Sequence, residues 1–286
     1  MSWDNLIKNN KPLVVIGTIN AYSALLAERA GVKAIYLSGG GVANASYGLP
    51  DLAMTSREDV LEDVRRIRSA TNLPLLVDID TGWGSALAIS RTIKEMMLAG
   101  ASGVHIEDQV SEKRCGHRPN KEIVSCDEMV DRIKAAKDAQ TDANFLLMAR
   151  TDAFAKGGLQ EVMDRSNAYI EAGAEAIFPE AISTLKDYEE ISKNVSKPIL
   201  ANITEFGMTP LFSHKELADA GVKIVLHPLS AFRAMSKAAE KVYATLASGG
   251  NHQDLLDKMQ TRDELYDVLD YHMYEEKIDK LFKKTK

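Results

Sequence analysis

The segment Lys113-Arg114-Cys115-Gly116-His117 places one thiol among three potential cations. A thiol becomes a useful acid or nucleophile only when its pKa is tuned, and nearby Lys, Arg or protonated His stabilises the thiolate. Gly116 carries no side chain, so a substrate could approach the sulfur closely. The alternative is a surface loop whose cysteine is a small packed hydrophobe, since free cysteines are often simply buried. The local pattern leaves both interpretations open.

Three carboxylates upstream of this loop could hold a metal. Asp78 and Asp80 follow an apolar run and are two residues apart, which places them on one face of a strand end. Glu107 ends the next apolar run. An all-oxygen set suits a hard cation such as Mg²⁺, with Mn²⁺ as a possible substitute, whereas a soft metal would need several Cys or His at ligand spacing. Solvated carboxylates in a loop are the alternative.

Further polar groups could bind an anionic substrate. The run Ser38-Gly39-Gly40-Gly41 follows an apolar segment, and its backbone N–H groups could hold a carboxylate or phosphate. A flexible turn also needs glycines, so this signal is weak alone. Arg150 and Arg233 lie next to predicted strand ends, where an arginine either binds a carboxylate through two hydrogen bonds or forms a structural ion pair.

The apolar segments that must position these residues predict an α/β fold. They are rich in Val, Ile and Leu without polar alternation, as strands buried on both faces are, and helix-period segments such as Ser85–Leu98 and Glu161–Glu171 separate them. Eight such repeats predict a (β/α)8 TIM-type barrel, with the active site at the carboxyl ends of its strands. The predicted strands are Leu13–Gly17, Ala34–Leu37, Leu75–Asp80, Val104–Glu107, Phe145–Arg150, Ala176–Glu180, Ile199–Ile203 and Ile224–His227.

The whole chain, residues 1–286, is predicted to be a single barrel domain. The barrel is expected over about 8–247, with a C-terminal helical extension over about 251–286. Leu, Tyr and Met recur in that extension at three- and four-residue spacing, so it needs a buried partner, either its own barrel or a neighbouring subunit. The sequence therefore also predicts an oligomer.

Composition excludes several classes of function. The net charge is −6, which does not favour nucleic acid or an anionic membrane as a partner. The two cysteines, Cys115 and Cys126, do not make a disulfide framework and fit a reducing compartment. Cys126 is expected at a helix start with a structural role. No apolar run is long enough to span a bilayer, and the N-terminus lacks a signal-peptide design, so a cytoplasmic protein is expected.

The 113–117 segment resembles the K-(K/R)-C-G-H signature of the isocitrate lyase superfamily, and its surroundings resemble the bacterial 2-methylisocitrate lyase family within it. The resemblance covers most of the chain, and its motifs stand in order at predicted strand ends. These motifs are Ser38–Ala43, Leu49-Pro50-Asp51, Val77–Asp80, His105–Gln109, Gly116–Lys121, Met148–Asp152, Phe178–Ala181 and Ala201–Gly207.

The resemblance implies a Mg²⁺-dependent lyase that splits 2-methylisocitrate into pyruvate and succinate in propionate catabolism, through the methylcitrate cycle. It implies that Asp78, Asp80 and Glu107 form the metal site and that Cys115 is the catalytic acid, assisted by Lys113 and His117. Tyr36 and a metal-bound water both remain candidates for the base. It further implies a homotetramer that exchanges C-terminal helices between subunits. The residues implied to bind substrate are Ser38, Gly39, Gly40, Gly116, His117, Arg150, Glu180, Asn202, Thr204 and Arg233.

Two other functions compete with this one. A related lyase could act on isocitrate or on a 2-alkylmalate such as dimethylmalate, with the same fold and the same thiol acid. A barrel used only for binding or scaffolding is the third hypothesis. It predicts degraded strand-end acids and a lost thiol, whereas all of these residues are present.

Overall fold

The computed structural model describes residues 2–118 and 120–282. Pro119, which belongs to the Gly116–Lys121 motif, lies outside the described residues, as do residues 283–286 at the end of the predicted extension. Two compact units divide the chain between Ser230 and Ala231. The sequence predicted one domain whose C-terminal extension begins at about residue 251, which is about twenty residues after this division. That domain organisation stays a prediction.

Eight parallel strands form the sheet of the first unit, as the sequence predicted. Their spatial order is β6-β5-β4-β3-β2-β1-β8-β7, and a parallel bridge between Ile177 and Ile199 links the two edges. The result is a nearly closed barrel with helices between successive strands. The strands are β1 (Leu13–Gly17), β2 (Ala34–Leu37), β3 (Leu75–Asp78), β4 (Gly103–Glu107), β5 (Leu146–Thr151), β6 (Ala176–Pro179), β7 (Leu200–Asn202) and β8 (Ile224–His227).

Twelve α-helices are found in the described chain, with a π-helical turn at Val42–Ser46 and a 3₁₀ segment at His252–Lys258. The predicted helix Ser85–Leu98 is confirmed apart from Ser85, which precedes its first residue. The predicted helix Glu161–Glu171 lies within α7, which begins at Phe154 and is kinked at Gly158, where the backbone is not helical. The helices are α1 (Trp3–Asn9), α2 (Ala21–Arg29), α3 (Gly39–Gly41), α4 (Arg57–Ala70), α5 (Ala86–Leu98), α6 (Cys126–Ala139), α7 (Phe154–Glu171), α8 (Leu185–Asn194), α9 (His214–Asp219), α10 (Ser230–Ala247), α11 (Arg262–Val268) and α12 (Tyr271–Leu281).

Three predicted strands were too long at their carboxyl ends, including β7, which ends at Asn202 and not at Ile203. β3 ends at Asp78 because Asp80 adopts a left-handed backbone with φ of 48°, which an extended strand cannot contain. β6 ends at Pro179, one residue before Glu180. Both carboxylates therefore stand on the loops just above the barrel and not in its wall.

The barrel is packed on both faces of its sheet. In β2, Ile35 and Leu37 join the layer between strands and helices, whereas Ala34 and Tyr36 join the core inside the barrel. Trp3 of α1 belongs to the inner core and donates a hydrogen bond from Nε1 to Ser102 O at 2.8 Å. Each fully buried large apolar side chain contributes about 1.5–3 kcal/mol, so this double burial holds the strand ends in fixed positions.

The second unit, from Ala231 onward, carries an apolar surface. Nine apolar residues of the predicted C-terminal extension recur at three- and four-residue spacing. Leu255 is buried and Tyr266 is half-buried, while the other seven are exposed. None of the described helices is both long and apolar enough to cross a membrane. The exposed members of the predicted set are Leu256, Met259, Leu265, Leu269, Tyr274, Ile278 and Leu281.

Candidate active site

Most of the predicted site residues gather at the carboxyl ends of the strands in the first unit. The parallel register places Asp78 beside His105 and Glu107 beside Arg150. Loops at this end of a TIM-type barrel carry the active site in characterised enzymes. Arg233, in contrast, lies on α10 in the second unit.

Asp78 and Asp80 converge on the glycine run after β2. Asp78 Oδ2 accepts hydrogen bonds from Gly39 N at 3.1 Å and from Tyr36 Oη at 3.4 Å, and Asp78 Oδ1 accepts one from Asp80 N at 3.0 Å. A Cβ atom on Gly39 would lie 3.1 Å from Asp80 Oδ1 and 3.2 Å from Asp78 Oδ2. The absence of a side chain at Gly39 therefore keeps the space between the two carboxylates open.

The carboxyl groups at this end of the barrel lack full compensation. Glu107 is buried, and its Oε1 accepts no hydrogen bond from any described residue. Burial raises the pKa of Glu107 well above its usual value. Burial, together with the charges of Asp78 and Asp51, raises the pKa of Asp80 to about 6 against the opposing effect of Lys113. An added cation would relieve both carboxyl groups.

The carboxylates of Asp78, Asp80 and Glu107 fit a partly hydrated Mg²⁺ better than a metal whose ligands all come from the protein. Within residues 2–118 and 120–282, no three His, Cys, Asp or Glu side chains are arranged to hold a metal by themselves. Mg²⁺ usually keeps several waters and takes only one or two carboxylates from the protein. Buried, under-compensated oxygen ligands at Asp78, Asp80 and Glu107 are compatible with such a partly hydrated ion.

Lys113 contacts carboxylates and not the thiol near it in sequence. Its Nζ lies 2.7 Å from Asp51 Oδ1 and 2.6 Å from Asp80 Oδ1. The side chain is buried, and the surrounding carboxylates raise its pKa well above the usual value despite its desolvation. Asp51 belongs to the Leu49-Pro50-Asp51 motif, for which the sequence predicted no role. In the structure its carboxylate is an ion-pair partner of Lys113.

The thiol of Cys115 is in a different state from the one that its sequence neighbours suggested. The cations at positions 113, 114 and 117 predicted a stabilised thiolate. Burial instead raises the pKa of Cys115, and the carboxylates of Asp51 and Glu180 add to that effect. Because this pKa lies above that of an ordinary thiol, the side chain is protonated at neutral pH.

Gly116 and His117 bring the thiol loop against the barrel. A Cβ atom on Gly116 would lie 2.4 Å from Arg150 Nη2 and 2.6 Å from Glu180 Oε2, so any side chain there would clash. His117 Nε2 lies 3.0 Å from Glu180 Oε1, and His117 Nδ1 accepts a hydrogen bond from Met208 N at 3.0 Å. The backbone donor at Nδ1 assigns the ring proton to Nε2. The loop therefore docks directly on the Arg150–Glu180 pair.

Arg150 connects three acidic side chains. Its Nη1 lies 3.2 Å from Glu107 Oε2, its Nε 2.9 Å from Asp152 Oδ2 and its Nη2 3.3 Å from Glu180 Oε2. Arg150 holds the pKa of Glu180 below its usual value although burial opposes this. The guanidinium is thus held by ion pairs within the protein, and the structural ion pair was one of the two roles that the sequence left open for Arg150. The same group lies against Gly116 of the thiol loop.

The remaining predicted residues line the same end of the barrel. Asn202 Nδ2 lies 3.4 Å from both carboxylate oxygens of Glu180, and Asn202 Oδ1 is buried without a hydrogen-bond partner among the described residues. Ser38 Oγ accepts a hydrogen bond from Gly41 N at 3.2 Å, as the cap of the turn α3. Thr204 is buried two residues beyond the end of β7.

His105 lies inside the site, although its sequence context predicted no role for it. It is fully buried, and its Nε2 lies 2.8 Å from Tyr36 Oη and 3.5 Å from Asp78 Oδ1. Burial lowers the pKa of His105 to about 4, so the ring is neutral at neutral pH. Burial and the charge of Asp78 raise the pKa of Tyr36 well above its usual value. The one sequence feature that could have indicated a role for His105 is its position as a polar residue within the apolar run Gly103–Ile106.

A cavity of about 930 Å³ opens onto the thiol loop. Asp51, Lys113 and Cys115 are among its lining residues, together with Arg114 and Arg118. Small-molecule sites usually have volumes of about 300–1,000 Å³, so the space suits a small molecule.

Known proteins resemble this chain along nearly its whole length. The family model for phosphoenolpyruvate phosphomutase matches residues 4–247. The 2-methylisocitrate lyase of Shewanella oneidensis is 59% identical over 280 residues, which cover 98% of this chain and 96% of that protein. A solved 2,3-dimethylmalate lyase is 32% identical with a TM-score of 0.83, over 94% of this chain and 91% of that one. A phosphonopyruvate hydrolase solved with oxalate and Mg²⁺ is 28% identical with a TM-score of 0.85, over 98% and 97%.

Proposed function

Since this chain belongs to the phosphoenolpyruvate phosphomutase/isocitrate lyase superfamily, we propose that it is a carbon–carbon lyase that cleaves 2-methylisocitrate to pyruvate and succinate. The observation that carries the proposal is the 59% identity to a 2-methylisocitrate lyase across 98% of the chain. The protonated thiol at the edge of a polar cavity supports it, because a reaction of this class ends with protonation of a carbanion.

In the proposed reaction, the bond between C2 and C3 of the substrate breaks. The hydroxyl on C2 loses its proton and becomes the ketone of pyruvate, while the bonding electrons pass to C3 as the carbanion of succinate. Mg²⁺ or Mn²⁺ at Asp78, Asp80 and Glu107 would supply Lewis-acid polarisation of the 2-hydroxy acid. Arg150 and Lys113 place positive charge where negative charge develops, which is usually the largest catalytic contribution.

Cys115 donates the proton that the carbanion of succinate needs. The raised pKa of its thiol keeps that proton in place until the carbanion forms. A well-positioned general acid contributes roughly 10²–10⁴-fold to the rate. His117, which touches Glu180, orients the loop and assists the return of a proton to the sulfur after each turnover.

Tyr36 and His105 form a hydrogen-bonded pair that bears on which group accepts the hydroxyl proton of the substrate. The raised pKa of Tyr36 keeps it as a phenol, so it does not act as a free phenolate. Its hydroxyl lies 2.8 Å from the neutral His105 ring. His105 therefore orients the Tyr36 hydroxyl, and its low pKa argues against the ring as the final proton acceptor. Tyr36 and a metal-bound water stay the two candidates for the base.

The substrate carboxylates are held from two sides. The backbone and hydroxyl groups of Ser38, Gly39 and Gly40 bind the carboxylate that remains with pyruvate, and Arg150 binds the centre of the substrate. The residues proposed to surround the succinate part are Gly116, His117, Glu180, Asn202, Thr204 and Arg233.

The working form that we propose is a cytoplasmic homotetramer. The exposed apolar residues of the second unit need a cover, and helices exchanged between neighbouring subunits would provide it.

A substrate panel tests the proposed function. Purified enzyme with Mg²⁺ is given 2-methylisocitrate, isocitrate or 2,3-dimethylmalate, and pyruvate, glyoxylate and succinate are measured separately. The expected result is pyruvate and succinate in equal amounts from 2-methylisocitrate, with the highest kcat/KM. One methyl group in an apolar pocket is worth about 1–3 kcal/mol, roughly 10–200-fold in kcat/KM. A higher kcat/KM for isocitrate, or for dimethylmalate, would replace the proposed substrate by that acid.

A further inference from the structure

Lys121 is a buried cation that the proposed reaction does not use directly. It lies on the thiol loop, five residues after Gly116, and only 5% of its surface is exposed. Its Nζ donates hydrogen bonds to Gly116 O at 2.6 Å and to Asp152 Oδ1 at 2.5 Å. An ammonium group is costly to bury unless carboxylate and carbonyl groups replace its water. These two contacts do so here.

The acid that receives Lys121 also holds Arg150. Asp152 Oδ2 accepts a hydrogen bond from Arg150 Nε at 2.9 Å, and Asp152 Oδ1 accepts one from Arg150 Nη2 at 3.2 Å. Asp152 is itself fixed, because its backbone N donates to Asp108 Oδ1 at 2.9 Å. The buried carboxylate of Asp152 therefore holds the Arg150 guanidinium and the Lys121 ammonium at the same time.

The base of the thiol loop is held separately from its tip. Val110 N donates to Glu122 O at 3.0 Å, and Gln109 Nε2 donates to Arg114 O at 2.9 Å. The first bond joins the two sides of the loop, and the second holds Arg114 close to the tip. Lys113 and His117 also tie the tip to the barrel, through their contacts with acidic side chains. Lys121 adds a contact at the carbonyl oxygen of Gly116, the residue directly after the one that carries the thiol.

We propose that Lys121 is a positioning residue that, through Asp152, sets the distance between the Cys115 thiol and the Arg150 guanidinium. The inference rests on the proposed lyase function for its catalytic consequence. Without the lysine, Lys113 and His117 would still hold the loop near the barrel. The carbonyl of Gly116 would lose its partner, however, and the thiol beside it would shift relative to Arg150. Misplacement of a reacting group by about 1 Å can cost on the order of 10²-fold in rate.

The test variant is Lys121→Met, which removes the ammonium and keeps the length of the side chain. Asp152 retains Arg150 as its partner in this variant, so no carboxylate is left buried without a cation. Lys134→Met is the matched control, because Lys134 is an exposed lysine on α6, away from the loop. Two quantities are measured: kcat/KM for 2-methylisocitrate, and the rate at which iodoacetamide alkylates each cysteine, followed by mass spectrometry of the peptides.

The expected result for Lys121→Met is a fall in kcat/KM of roughly 10²-fold and an alkylation of Cys115 that is faster by about tenfold. Alkylation of Cys126 should not change, because a loop that opens locally leaves the start of α6 in place. A merely structural lysine would expose both thiols together. Lys134→Met should match the wild type in both measurements.

Wild-type kcat/KM and a wild-type alkylation rate of Cys115 in folded Lys121→Met would overturn the inference. Equal acceleration at Cys115 and Cys126 would also contradict it. If Lys121→Met does not fold, Lys121→Gln, which keeps a donor for Gly116 O, is judged by the same two measurements. If the wild type cleaves none of the panel acids, the proposed function fails, yet the selective alkylation of Cys115 still decides the role of Lys121.

Discussion

The carboxyl end of the barrel and the second unit distribute polar and apolar groups in opposite ways. In the first unit, Glu107, Arg150, Glu180 and Lys121 are buried, and each contacts an oppositely charged side chain. In the second unit, large apolar side chains are exposed, and α10 buries none of its 18 residues. Buried charge and exposed apolar surface are both exceptions to the usual distribution in soluble proteins, so each needs a separate physical explanation.

The two exceptions indicate two different missing partners. Carboxylates outnumber cations among the buried groups at the strand ends, so that region requires added positive charge. The exposed leucines and tyrosines of the second unit require an apolar cover, which a second protein surface would supply. The first region is prepared for chemistry and the second for assembly, and the following experiments separate them.

Metal removal should have the largest effect, and only on the first region. Enzyme stripped with EDTA should lose measurable lyase turnover, because Asp78, Asp80 and Glu107 would repel the substrate carboxylates without a cation between them. Added Mg²⁺ should restore turnover, whereas the mass in solution should stay the same. Full activity in the stripped enzyme would contradict a metal-dependent reaction.

Replacement of the thiol should have the next largest effect. Cys115→Ser should lower kcat by a factor of roughly 10² or more, since a hydroxyl is a much weaker acid than a thiol. Substrate binding, measured by calorimetry, should survive. Cys126→Ser is the matched control and should stay near the wild type, because Cys126 begins α6 outside the site. Equal losses in the two variants would remove Cys115 from its proposed role.

A methyl group on Gly116 should produce a loss of kcat/KM of about tenfold or more. The new Cβ would meet Arg150 and Glu180 within 2.6 Å, so the loop could not dock and the thiol would be displaced. Gly249→Ala in the second unit is the contrasting change, since nothing lies within 4 Å of its Cβ position. Its left-handed backbone makes a modest loss of stability the expected result there, without loss of turnover. Wild-type kcat/KM in Gly116→Ala would show that the docked loop is not required.

The smallest effect on chemistry, but the clearest on mass, should come from the second unit. Light scattering on the full chain should give several times 31.4 kDa. Ile278→Glu on α12 should lower that mass, because a charge would be placed in the apolar contact, and Lys277→Glu beside it should not. Truncation after Ser248 should lower both mass and activity. A monodisperse, active 31.4 kDa chain would contradict assembly through this unit.

Much of the barrel could be predicted from local sequence. All eight strands were found within one or two residues of their observed bounds, because strands buried on both faces are continuous apolar runs. Gly31 and Gly100, in left-handed conformations, follow α2 and α5, as glycines that end helices commonly do. The carboxyl ends of β3, β6 and β7 were predicted too far along the chain, since an apolar run does not reveal where the backbone leaves the extended region.

The sequence by itself determined the order of strands, the residues at their carboxyl ends and the presence of one thiol in a polar loop. Only the tertiary structure decided the state of that thiol and the partners of its neighbours. Lys113, two residues from Cys115, pairs with Asp51 and Asp80, and Lys121 pairs with Asp152, far away in the chain. A pKa depends on burial and on charges a few ångströms away in space, and neither can be read from neighbours along the chain. For the same reason, His105 was interpreted as part of a strand until the fold placed its ring against Tyr36.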